Sequence, residues 1–319
     1  CAAIGQQSRF MSSATPHHPM LGPALGLGAY AVFSGMDLIS KLLDGAYPAH
    51  MLIVLNGLVA LVVFMIWARR TEGEWLPKPL FMGRVATNGA LSGIGLLLAF
   101  YGYRTMPTIA DAYAIAFSGP LMAVVLAFLV LKETVSLKRW AAVAIGFAGV
   151  MLILQPDIAN LNQAAIAPLS AAFCFASASI LLRSMKDETR PQAILIYTHI
   201  TLLLVMVPFA IFMELSGLSQ EPSALSPVTL SQGGLIALAA IAYAIGQVLL
   251  VTALAKADAS VISPMAFTQM FWGVFYGLVI WGSLPRATTV VGVIIIMTAT
   301  IYIVRHSKPS TVPPTPIPL

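Results

Sequence analysis

Apolar residues run for about twenty positions at a time along most of this chain, and short polar segments such as "DGAYPAH", "RRTEGEWLPKP", "RTMPT" and "KETVS" divide the runs. Read at helical period, the runs predict ten helices, at residues 21–42, 49–68, 82–103, 108–131, 137–155, 165–183, 192–214, 232–254, 259–282 and 287–304. Each is long enough to cross the hydrocarbon of a bilayer. The alternating ten-residue segments of a membrane barrel are missing from the pattern. The longest connection, "SGLSQEPSALSPVTLS", joins the seventh and eighth runs and leaves no room for a soluble domain.

Composition sharpens this into a class. The 319 residues are 59% hydrophobic and 9% charged, with a mean hydropathy of +0.89. Soluble domains carry roughly 25% charged residues, so this chain cannot clothe a water-facing surface. An all-α integral membrane protein is the expected fold class. Cys1 and Cys174 are the two cysteines and form no disulfide framework. Cys1 as a first residue reads as a fragment or a misplaced start, with Met11 or Met20 as the beginning, ahead of a lipidated lipoprotein. Residues 1–20 form a polar tail without the apolar core of a secretory signal, and residues 307–319 are Pro-rich and expected to be disordered.

Lys and Arg fix an orientation. With the N-terminus inside, fourteen of the seventeen fall on the inner side, and Lys41, Arg104 and Arg286 remain outside. Both termini are therefore expected in the cytoplasm. The net charge of +5 is topological and does not point to nucleic acid.

The chain also repeats itself. "YPAHMLIVLNG" corresponds to "RPQAILIYTHI", which pairs Pro48 with Pro191 and Asn56 with His199. Lys41 closes the first helix as Arg183 closes the sixth, and Ser179 stands where Asp37 does. Five spans per half is an odd number, so residues 21–156 and 163–306 should form two inverted repeats, the plan of carriers that alternate around a midplane site.

"FSGMDLISKLL", "ADAYAIAFSGPL" and "LKETVSLKRWAAVAIGFAGVMLIL" in the first half, and "ADASVISPMAFTQMFWGVFYG" followed by "GSLP" in the second, resemble the drug/metabolite transporter superfamily of the EamA type. The likeness is greatest to the branch with bacterial S-adenosylmethionine and riboflavin carriers. It implies a ten-helix carrier in a bacterial inner membrane, with helices 1–4 and 6–9 around a cavity and 5 and 10 outside. An Arg common in helix 2 of that family is Asn56 here, the acid after helix 4 is Glu133, its counterpart is missing from "WGSLPR", and a Glu frequent after the helix 9 Pro is Ala266.

Charged and polar side chains inside spans are the candidates for chemistry. Tyr30, Ser34, Asp37 and Lys41 share one face of helix 1. Lys41 and Arg183 read as interface anchors, whereas Asp37 either binds a cationic group or proton or merely neutralises Lys41. Met265, Gln269, Trp272 and Tyr276 fall on one face of helix 9, beside a GxxxG of Gly273 and Gly277 suited to close packing. Asn56, Tyr197, His199, Tyr243 and Gln247 complete the expected cavity set; Asn88 and Ser92 rank lower. Thr108 with Asp111 reads as a capping box and Asp258 as an N-cap. No metal, nucleotide or nucleophile motif occurs, and no cofactor is expected. The expected function is secondary transport of a small organic metabolite, with the bilayer and the solute as partners and a homodimer as an option. The alternatives are a membrane enzyme acting on lipid-linked substrates and a non-transporting scaffold.

Overall fold

The computed structural model describes residues 20–43, 47–105, 115–155, 165–186, 190–218, 228–282 and 286–306. Among them no strand occurs. The helices are α1 Leu21–Leu42, α2 Ala49–Glu72, α3 Met82–Thr105, α4 Gly119–Leu129, α5 Leu137–Leu154, α6 Ile166–Ser184, α7 Pro191–Ser216, α8 Leu230–Lys256, α9 Gln269–Trp281 and α10 Ala287–Arg305. Among the described residues five stretches, His50–Glu72, Ile166–Ser184, Pro191–Ser216, Leu230–Lys256 and Ala287–Arg305, are long and apolar enough to cross a membrane. Large apolar side chains such as Leu204, Val279 and Ile294 stand exposed on the outside, where acyl chains replace water.

Local chemistry sets the ends. Gly73 and Gly217 take positive φ, +77° and +62°, and stop α2 and α7. Thr229 and Gln232 form a capping box that starts α8. The expected helix over 259–282 is not continuous. A single turn, Ala259–Ile262, leads into a 3-10 segment, Ser263–Thr268, and only then into α9. Pro264 lacks the amide an α-turn needs there, and the tighter helix takes over. The fourth expected helix begins at residue 108, but residues 106–114, and with them Thr108 and Asp111, lie outside the described part.

The two halves pack as exchanged copies. α1 lies against α8 as α6 lies against α3, α2 touches α8 as α7 touches α3, and α4 meets α6 as α9 meets α1. The repeat-related pairs α2/α7 and α5/α10 each face their own partner. Both pairs are antiparallel. The start of α2 meets the end of α7 through His50 and Glu214 at 3.8 Å, and its end meets the start of α7 through Glu72–Arg190 at 3.8 Å and a Gln192 Nε2 donation to Thr71 Oγ1 at 2.9 Å. In the other pair Gly292, early in α10, abuts Gly149 and Ile153, late in α5. An aromatic ring set on a glycine recurs too: Phe33 of α1 covers Gly246 of α8, and Phe175 of α6 covers Gly95 of α3. Helices in lipid gain no hydrophobic drive toward one another, so such close approaches, made possible by missing Cβ atoms, hold the bundle.

Candidate functional site

A cavity of about 290 Å³ lies between α1, α2, α3, α6, α7 and α8. Its polar lining comes from Asn56, Asn88, Ser92, Ser179, Thr198, His199, Tyr243 and Gln247, and Met36, Leu202 and Phe175 are among its apolar walls. His199 sits about 12 Å along α7 from Pro191, and Gln247 about 14 Å from the end of α8, so the site is deep in the bundle.

A chain of hydrogen bonds crosses it. His199 Nδ1 is 2.7 Å from the Leu195 carbonyl, which can only accept, so this nitrogen carries a proton. In the neutral ring Nε2 is then an acceptor, and it lies 3.1 Å from the Tyr243 hydroxyl. Gln247, one turn further along α8, lines the same space. Phe64 presses its ring on His199 at a centroid distance of 5.1 Å and fixes the imidazole plane. On the far wall Asn88 Nδ2 donates to the Ala178 carbonyl at 2.7 Å, and Thr198 Oγ1 donates to Asn88 Oδ1 at 3.2 Å.

Of the residues singled out from the sequence, the structure gathers Asn56, His199, Tyr243 and Gln247 around one space. It raises Asn88 and Ser92 to the same rank. Tyr197 packs with the apolar cluster around Phe64 and Ile196. Asp37 is exposed one residue beyond the lining Met36. Gln269, Trp272 and Tyr276 lie on α9, and the Tyr276 hydroxyl comes 3.7 Å from where a Cβ on Gly35 would be. Tyr276 therefore approaches α1 at Gly35, and Trp272 stacks on Tyr276 at 6.1 Å. Met265 does not join that stripe. The 3-10 segment changes the angular step per residue, and Met265 is fully buried in the core.

Three further expectations need correction. Gly273 makes no close helix contact, since a Cβ there would meet nothing within 4 Å. Asp258 stands at the N-cap position, but its side chain makes no cap hydrogen bond. Arg183 is not an interface anchor: it is 6% exposed and bonds Asp258 Oδ1 at 2.9 Å, the Leu254 carbonyl at 2.9 Å and, through Nε, Glu133 at 3.5 Å. Its repeat partner Lys41 is exposed, so the two bases have diverged.

Glu133, Arg183 and Asp258 belong to one buried network. Lys132 takes φ +54° and turns the chain so that Glu133 points back into the bundle, where its carboxylate accepts from the Ala259 and Ser260 amides at 3.1 and 3.2 Å. Glu133 thus caps the turn that Asp258 precedes, and the Asp258 carboxylate turns to Arg183 instead. Arg139, placed by the Ser136 cap of α5, donates to Ser260 Oγ at 2.8 Å and approaches Asp258 at 4.0 Å. Two acids and two bases balance, and they tie α4, α5, α6, α8 and the turn before α9 at one end of the bundle. In sequence Arg139 counts only as one of the fourteen inner-side basic residues, at the start of the fifth helix. The spacing that defines the network is long-range, 126 residues from Glu133 to Ala259.

The comparisons with known proteins agree with this architecture. The EamA-like transporter family matches residues 20–155 and again residues 163–305. The chain is 25% identical over 291 residues to a riboflavin transporter of Vibrio cholerae, covering 91% of this chain and 94% of that one. It is 27% identical over 222 residues to an S-adenosylmethionine uptake transporter of Rickettsia prowazekii, covering 68% and 71%. A solved crystal structure superposes with a TM-score of 0.73 at 17% identity, covering 89% of this chain and 96% of its own, and shows the same fold. With two family matches laid end to end over almost all of a helical membrane chain whose halves pack as exchanged copies, this protein belongs to the EamA-like transporter family.

Proposed function

We propose that the protein is a secondary transporter that carries a small organic solute across a bacterial inner membrane by alternating access, built from ten spans in two inverted repeats. The observation that supports this most is the cavity's place: it lies where α2 and α7, repeat partners running antiparallel, meet α1, α3, α6 and α8. A site between exchange-related halves can be opened to either side by rocking one half on the other. The test is solute uptake into proteoliposomes. A membrane enzyme would turn over its substrate in detergent without a vesicle, and a scaffold would do neither.

Both termini are expected in the cytoplasm, because even with Arg139 and Arg183 withdrawn into the network the remaining basic residues stay strongly biased. A reporter fused at Leu319 that is active only in the periplasm would overturn the orientation. Trp272→Ala and Gln269→Ala are expected to lower flux several-fold at nearly normal membrane abundance, as residues of the α9 face turned to α1. Normal flux in both variants would remove that face from the transport path.

A further inference from the structure

The chemistry of the cavity walls narrows the class of solute, an inference that rests on the transport reading. Among the described residues that line the cavity there is no Asp, Glu, Lys or Arg. His199 meets the Leu195 carbonyl through Nδ1, and in the neutral ring its Nε2 accepts from the Tyr243 hydroxyl. The nearest acid in sequence, Asp37, is exposed outside the lining, and the charged network sits at the bundle's end. A charged solute would enter this space with no counter-charge, which is strongly disfavoured at low dielectric.

One lining residue is incompletely satisfied. Asn56 is 7% exposed, its Oδ1 has no hydrogen-bond partner, and its Nδ2 reaches only the sulfur of Met36 at 4.0 Å. Thioether sulfur is a weak acceptor. The amide oxygen is thus without a partner and the amide nitrogen has only a weak one, an acceptor and a donor side by side in a fixed plane. Buried polar groups normally find partners, so this pair is a candidate recognition edge. Its complement is another amide edge, an N–H next to a C=O. Asn88, the other buried amide in the lining, is already engaged by Ala178 and Thr198 and offers no such edge. Phe175 and Tyr243 also line the space, and aromatic side chains there can pack against a flat ring.

We propose that the cavity binds an uncharged heterocycle carrying an amide- or imide-type edge, read by the side chain of Asn56. At about 290 Å³ it is near the lower end of small-molecule sites, roughly 300–1,000 Å³.

The experiment uses the purified full chain in detergent and in vesicles, with matched probes: uridine, 3-methyluridine and uridine 5′-monophosphate, and riboflavin, 3-methylriboflavin and riboflavin 5′-phosphate. S-adenosylmethionine serves as a cationic probe. Uridine or riboflavin is expected to raise the melting temperature in a saturable way. Its 3-methyl form, lacking the N–H, should bind roughly tenfold or more weakly, the effect of leaving a buried polar group unpaired. Its phosphate should bind weaker still. Asn56→Leu should abolish binding of the imide probe while leaving the ligand-free melting temperature equal or higher, because the variant replaces an unpartnered amide with an apolar group of similar size. A merely structural Asn56 would instead lower that temperature.

Equal or tighter binding of the phosphates or of S-adenosylmethionine overturns the proposal. So does unchanged imide binding in Asn56→Leu, or no binding by any neutral probe. Flux of a charged solute into vesicles without imide binding sinks this inference and leaves the transport reading standing. Imide binding with no flux of any probe does the reverse.

Discussion

Arg183→Ala is expected to lower the stability of the purified protein by about 3–5 kcal/mol, the usual cost of removing one member of a buried ion pair. The size reflects the groups left behind. Asp258 and Glu133 are 8% and 6% exposed, and removing the guanidinium takes away a cation that both carboxylates contact. The Leu254 carbonyl also loses its donor. Arg183→Lys should recover only part of the loss, since one ammonium cannot reach Glu133, Asp258 and the Leu254 carbonyl in the fork geometry of a guanidinium. Arg183→Met combined with Asp258→Leu returns the cluster to neutrality and should melt above Arg183→Ala. Lys41→Ala, at the corresponding but exposed position of α1, should change the melting temperature little. The measurement is thermal or denaturant unfolding in detergent, followed by size-exclusion chromatography. An Arg183→Ala protein as stable as Lys41→Ala would show that the network contributes nothing, and the double variant would then have nothing to restore.

The network also marks a boundary between local and long-range information in the chain. The helix positions were legible because apolar length is a local property, and α1 has the expected bounds. The packing of the halves has a counterpart in the sequence: the offset that aligns Lys41 with Arg183 also aligns Phe33 with Phe175, and each of these rings covers a glycine, of α8 and of α3. Asp258 misleads because N-cap preference is local, whereas the cap is supplied from Glu133 across the bundle. A charged residue near a helix end has two explanations, a snorkel to the interface or a distant partner, and periodicity cannot choose between them. The cavity set was half legible for a related reason. Asn56, His199, Tyr243 and Gln247 stand out as polar side chains in apolar runs, but the stripe on helix 9 assumes one α-helical phase through Pro264. The 3-10 segment breaks that phase and takes Met265 off the stripe, while Tyr276 approaches α1 at Gly35 and the stripe is not among the residues lining the space around His199.

Glycine gives the sharpest contrast, and Gly89→Ala is expected to cost about 1–3 kcal/mol and most of the flux. The chain has a GxxxG on α3, Gly89 with Gly93, beside the one on α9, and spacing alone does not rank them. A Cβ on Gly89 would run into the Thr198 carbonyl oxygen and lie 2.8 Å from Thr201 Cβ; one on Gly93 would lie 2.9 Å from Val205 Cβ. The first obstacle is backbone, so no rotamer change relieves it and α7 must move. Thr198 also donates to Asn88 in the cavity wall, and His199 is the next residue. A shift of α7 therefore disturbs the site directly, and flux should fall more than abundance. Gly273→Ala is the matched control. A Cβ there meets nothing within 4 Å, and replacing a helical glycine gains up to about 1 kcal/mol of intrinsic propensity, so its melting temperature should hold or rise. Unfolding in detergent and uptake into vesicles are measured for both variants. If Gly89→Ala melts and transports like the parent while Gly273→Ala does not, the α3/α7 seam is not what positions the cavity wall, and the glycines of α9 carry a contact that this packing does not contain.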